Sequence, residues 1–136
     1  MGFPSEKIIL GVPFYGRGWA KIIPTDPNLP LFGTSVSGAG ISLSGKAGEP
    51  GLSSWKDIKP LINKNGYKQY YDPISHAVFL HKTITGETWS YDNVDTMKEK
   101  VQYVKDKNLG GIGCWEISDD TRDGSDSLLV AMTTNL

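Results

Sequence analysis

The sequence is poor in the residues that would mark several common functions. Its 136 residues include one cysteine and two histidines, and 14 Lys and Arg stand against 15 Asp and Glu. A lone Cys114 excludes an internal disulfide framework and any cysteine-based zinc cluster. His76 and His81 sit in a strand-like run on opposite faces and cannot chelate one metal. The near-balance of charge leaves no electrostatic footprint for nucleic acid or an anionic membrane. No apolar run approaches the ~18 residues that span a bilayer. The start Met1-Gly2-Phe3-Pro4-Ser5-Glu6-Lys7 does not read as a signal peptide, and no Asn-x-Ser/Thr acceptor occurs. What is present in excess is aromatic: Trp19, Trp55, Trp89 and Trp115 with six tyrosines.

After Lys7, Ile8 to Val12 is a continuous apolar run, β-branched at three positions and closed by Pro13 and Gly16, which suits a strand buried on both faces over 8–12. From Ala20 to Gly51 prolines and glycines crowd the chain, which predicts loop and short strands. Apolar residues at 55, 58, 61 and 62 predict a helix that Pro60 kinks or splits and Gly66 stops. The runs 67–72, 76–82 and 87–91 are separated by Asp72-Pro73 and Thr85-Gly86 and read as an antiparallel meander. Val94, Met97, Val101 and Val104 define an amphipathic helix, capped by Asn93 or Asp95 and ended near Gly110. Gly111 to Ile117 follows as a second buried strand. The outer elements therefore form a parallel βαβ unit interrupted by an α+β insertion.

Several motifs fail on chemistry. Gly110-Gly111-x-Gly113 precedes a strand and opens no helix, so it is no dinucleotide loop. Asp119-Asp120-Thr121-Arg122-Asp123-Gly124 resembles the opening of a calcium loop, but Val130 stands where the bidentate glutamate belongs. The residues past the carboxyl ends of the two parallel strands survive: Tyr15, Arg17 and Trp19 after the first, Trp115 and Glu116 at the second. Ligand sites of α/β sheets and barrels are assembled there. An indole face is a platform for the apolar face of a pyranose, and guanidinium and phenol groups supply donors to its oxygens.

At these residues the chain resembles a known family. Lys7-Ile-Ile-Leu-Gly-Val-Pro-Phe-Tyr-Gly-Arg17 looks like the seventh barrel strand of chitinase-type family 18 glycoside hydrolases. Leu109-Gly-Gly-Ile-Gly-Cys-Trp-Glu-Ile-Ser-Asp119 resembles their eighth, and Glu87-Thr-Trp-Ser-Tyr-Asp92 the segment leading into the helix between. The resemblance implies an α+β chitinase insertion domain, an antiparallel sheet with a helix, bracketed by strands seven and eight of an incomplete (β/α)8 barrel. Its parts would be strand seven over 1–14, the insertion domain over 15–91, and the last barrel helix, strand eight and tail over 92–136. A complete barrel needs ~250 residues, so the chain would be a fragment.

Carried over residue by residue, the family implies that Trp115 floors the subsite of the cleaved sugar and that Tyr15 and Arg17 line the groove; Glu116 is added as a substrate-binding candidate from its place at the strand end. The family's Leu-x-Tyr-Tyr-Glu-Ile pattern corresponds to Leu52-Ser-Ser-Trp-Lys-Asp-Ile58 with one extra residue, and Asp57 is the candidate for that glutamate. Family members cleave β-1,4-linked N-acetylglucosamine polymers with substrate assistance and retention, using a glutamic acid from the fourth strand. That D-x-x-D-x-D-x-E motif is not in this chain: Asp92, Asp95 and Glu99 match its spacing, but Met97 replaces one acid and the segment has helical period. The expectation is a chain that holds no catalytic residue, metal or cofactor and is inactive alone, from a secreted parent whose partner is chitin or a chitooligosaccharide. No nucleic acid or membrane is expected. Exposed Ile8, Ile9, Val12 and Ile112 on unpaired barrel strands would favour self-association. The alternatives are part of a non-catalytic chitin-binding lectin of the same fold, or a purely structural module.

Overall fold

The computed structural model describes residues 2–30, 32–40, 43 and 49–136. In chain order, the first half contains strands β1 (Ile9–Pro13), β2 (Tyr15–Trp19), β3 (Ile22–Pro24), β4 (Gly33–Ser35) and β5 (Leu52–Ser54) and helix α1 (Trp55–Ile58). The second half has β6 (Tyr67–Asp72), β7 (Ala77–Lys82), β8 (Glu87–Tyr91), α2 (Val94–Asp106), β9 (Gly111–Trp115) and α3 (Leu128–Thr133). No helix among the described residues is long and apolar enough to cross a membrane.

Two sheets organise the site. β1 and β9 form a parallel pair, in register from Ile9 opposite Gly111 to Pro13 opposite Trp115. The larger sheet is antiparallel, in the order β5-β2-β8-β7-β6. A further two-stranded antiparallel sheet joins β3 to β4, within the region expected to hold loop and short strands. The described chain is thus α+β, with α2 as the crossover between the parallel strands.

The glycines of β2 let its backbone approach the core closely. A Cβ on Gly16 would stand 2.5 Å from Ile58 Cδ1, and one on Gly18 would stand 2.6 Å from the Trp89 ring. The two glycines occupy the core face, so by the period of a strand Tyr15, Arg17 and Trp19 occupy the other. Phe14, the single residue between β1 and β2, joins the sheets. Its N–H donates to Trp115 O at 2.7 Å and its carbonyl accepts from Trp55 N–H at 2.8 Å.

The core gathers on the glycine side, where Phe14, Ile58, Leu80, Trp89, Met97 and Leu128 are fully buried. Trp55 stacks on Tyr91 with centroids 5.8 Å apart and donates its Nε1–H to Asp126 O. α2 presents Met97, Val101 and Val104 to this core and starts in a capping box. The Asn93 side chain accepts from the N–H groups of Asp95 and Thr96, while Thr96 Oγ1 accepts from Asn93 N–H.

Some expectations change. The helix from Trp55 is a single turn, because Pro60 cannot continue the N–H ladder and falls in a 3-10 turn over Lys59–Leu61. Val12 is buried rather than exposed, since alternation along β1 turns it into the core, whereas Ile8 and Ile9 are exposed and Ile112 is half-buried. α3 was not expected at all. His76 lies in the turn before β7 rather than in the strand.

Candidate functional site

The carboxyl end of β9 delivers Trp115 to the surface with 72% of its area exposed. So large an exposed indole gains nothing for folding, and Phe14 holds its backbone by the hydrogen bond to Trp115 O. The Trp115–Glu116 peptide bond is cis. Trp115 and Tyr15 line one hollow of about 410 Å³, floored by Gly11, Pro13 and Gly113 and walled by Cys114. Burial pushes the Cys114 thiol above its ordinary value, so it is a poor thiolate at neutral pH.

Tyr15 also borders a second hollow of about 460 Å³, with Arg17, Trp19, Ser90, Asp92 and Lys100 among its walls. The Arg17 guanidinium lies 5.4 Å from the Tyr15 ring centroid and pairs with Glu49. The Glu49 hydrogen bond holds the guanidinium above its ordinary pKa, so it is cationic at any physiological pH. At the back of this hollow, buried Asp92 accepts from Lys100 Nζ and, at 3.0 Å, from Thr96 Oγ1. The arrangement can therefore offer an aromatic floor, a phenol and a fixed cation, which suits recognition of a neutral, oxygen-rich ring.

The structure brings together Tyr15, Arg17 and Trp115 by way of the two hollows. Asp57 does not join them: it sits half-exposed on α1 and lines neither. Glu116 is half-buried and accepts from Ser118 Oγ at 2.6 Å. The acid that meets Arg17 is Glu49, which sequence reasoning did not single out; nothing in its Pro- and Gly-rich surroundings signals a partner so far along the chain. Trp55 and Trp89 both belong to the core.

The acidic runs have structural work. Asp120 accepts from the N–H groups of Leu128 and Leu129 and from Ser127 Oγ, which caps α3 instead of holding a cation. Glu99 lies on α2 beside Tyr71 and His76. Among the described residues no cluster of three His, Cys, Asp or Glu is placed to hold a metal ion.

Comparison with known proteins gives a consistent picture. The family model described as "Glycosyl hydrolases family 18" matches residues 1–120. Endochitinase 1 of Metarhizium robertsii is 35% identical over 139 aligned residues, covering 99% of this chain and 28% of that protein. Chitinase ChiA74 from Bacillus thuringiensis superposes with a TM-score of 0.86 at 30% identity, over 99% of this chain and 24% of the other. Human YKL-39, described as a pseudo-chitinase with retained chitooligosaccharide binding properties, superposes with a TM-score of 0.81 at 26% identity, over 98% of this chain and 36% of its own. The chain spans no more than 28% of the length of the first curated relatives it matches.

Proposed function

The chain belongs to glycosyl hydrolase family 18, and from that premise we propose that it is part of a secreted chitinase that hydrolyses β-1,4-linked N-acetylglucosamine polymers by substrate-assisted, retaining catalysis. In this reading β1 and β9 are strands seven and eight of a (β/α)8 barrel, and residues 15–91 are the chitinase insertion domain. The chain supplies the floor and one wall of the groove. Trp115 carries the sugar at the cleaved bond by contact with its apolar face, while Tyr15 and Arg17 reach its oxygens. The catalytic acid is not among these residues, so the chain alone does not turn over substrate.

The observation that carries the reading is Trp115, exposed at a strand end over a hollow it shares with Tyr15. Titration of the chain with chitotetraose, followed by tryptophan fluorescence, should show binding that Trp115→Ala removes. Unchanged binding in that variant would sink the assignment. Incubation with a chromogenic chitobioside should release no product; turnover would show that a catalytic acid is present after all.

A second reading, part of a non-catalytic chitooligosaccharide-binding protein, is favoured by the similarity to human YKL-39. Both readings use the same Tyr15, Arg17 and Trp115. The residue at the catalytic acid position of the whole protein separates them.

A further inference from the structure

The two hollows are not the end of the groove. A third, of about 360 Å³, lies beyond them and is lined by Trp19, Phe79, Thr88 and Ser90 with Ile22 and Ser35 from β3 and β4. Each hollow shares side chains with the next. Tyr15 borders the first and second, while Trp19 and Ser90 border the second and third. The three follow one strand, because the glycines at 16 and 18 commit every large side chain of β2 to the same face.

The span is set by strand geometry. Tyr15 and Trp19 are four residues apart, roughly 13 Å at the rise of a strand, which is longer than one pyranose ring. Opposite them β8 places Ser90 against Arg17 and Thr88 against Trp19. Trp19 is 37% exposed, whereas Trp55 and Trp89 are buried and donate their indole N–H groups to Asp126 O and to Glu87. An accessible indole with an exposed serine beside it repeats the composition of the Trp115 end of the groove: a ring platform flanked by a hydroxyl.

We propose that the sugar groove continues along β2 past Arg17 to a distal subsite at Trp19, where a further hexopyranose of the same oligosaccharide stacks on the indole and meets the Ser90 hydroxyl. Trp19 is thus a chain-length determinant that contributes only when the ligand is long enough to reach it. This inference rests on the groove reading given above, which supplies the sugar at Trp115.

The test is an NMR titration of the 136-residue chain, labelled at its tryptophan indoles, with chitobiose and separately with chitohexaose. Trp55 and Trp89, held inside the fold, are silent internal references. Chitobiose should move the Trp115 resonance, and chitohexaose should move both Trp115 and Trp19. Trp19→Ala should weaken chitohexaose binding about fivefold and leave chitobiose unchanged, with Trp19→Phe restoring most of the loss. Should the alanine variant not fold, the wild-type resonances and the phenylalanine variant decide the matter. If chitohexaose moves Trp115 but leaves Trp19 in place, the distal subsite is wrong and the groove reading stands. If neither sugar moves Trp115, the groove reading itself falls and takes the subsite with it.

Discussion

The antiparallel sheet and the parallel pair treat their apolar residues in opposite ways. In β7 and β8, Val78, Phe79, Leu80 and Trp89 are all at or below 2% exposure, while the parallel pair leaves Ile9 at 59% and Trp115 at 72%. A parallel sheet is ordinarily covered on both faces, which β1 and β9 by themselves are not. Both regions feed one core, which takes Leu80 and Trp89 from the antiparallel sheet and Val12 from the parallel pair. Burial is therefore deepest in β7 and β8 and exposure greatest in the parallel pair, with β2 showing both on its two faces, and the contrast can be probed residue by residue.

The largest effect belongs to the closed sheet. Trp89→Ala should cost about 3–5 kcal/mol, read as a drop in the urea midpoint, and an effect comparable to a surface change would show that the sheet is not the stabilising unit. Gly18→Ala should cost about 1–3 kcal/mol by forcing a methyl group against the Trp89 ring. A neutral result there would mean that β2 can lift away from the core.

His81 gives a pH-dependent version of the same probe. It is buried in β7 with Nδ1 2.8 Å from Thr88 Oγ1, and burial holds its pKa below the ordinary value. The unfolded chain therefore binds the proton more readily than the folded one. The sheet should keep its full stability above the ordinary histidine pKa and lose it as pH falls through the lowered one. Denaturation midpoints from pH 7.5 to about 5 should fall in the wild type and stay flatter in His81→Gln; equal slopes would remove His81 as the cause. The smallest effect is expected in the open pair. Ile9→Lys should change stability by no more than about 0.5 kcal/mol while lowering any concentration-dependent association in sedimentation. A large stability loss would mean that Ile9 is covered in solution.

Periodicity made the outer frame readable from the sequence. The 3-4-3 stripe of α2 and the meander over 67–91 each carry a clear period, and the apolar runs at both ends do form strands, though without the burial on both faces expected of them, since Ile9 is exposed. β2 was hidden because Tyr-Gly-Arg-Gly-Trp alternates large with small rather than apolar with polar. The clue was there in the glycines. α3 is short and its start depends on Asp120, eight residues before Leu128, so no local cap marks it beyond Ser127. Tyr15, Arg17 and Trp115 could be named from their place after strand ends, yet the pairing of Arg17 with Glu49 depends on a fold that spacing does not encode. Trp55 and Trp89 look alike in sequence to Trp19 and Trp115, and only packing separates them.

Phe14 has a consequence for how a ligand would be received. Both of its backbone groups are committed, one to Trp115 at the end of β9 and one to Trp55, the first residue of α1 directly after β5, and its ring is fully buried. Swinging one sheet against the other would break two hydrogen bonds and expose the ring. The separation between Trp115 and the β2 face is accordingly built in before any ligand arrives. Less conformational freedom is then lost there on binding than in a site whose walls must first be brought together. The site would discriminate by the width and thickness of what slides along it, as a gauge does, rather than by folding around it.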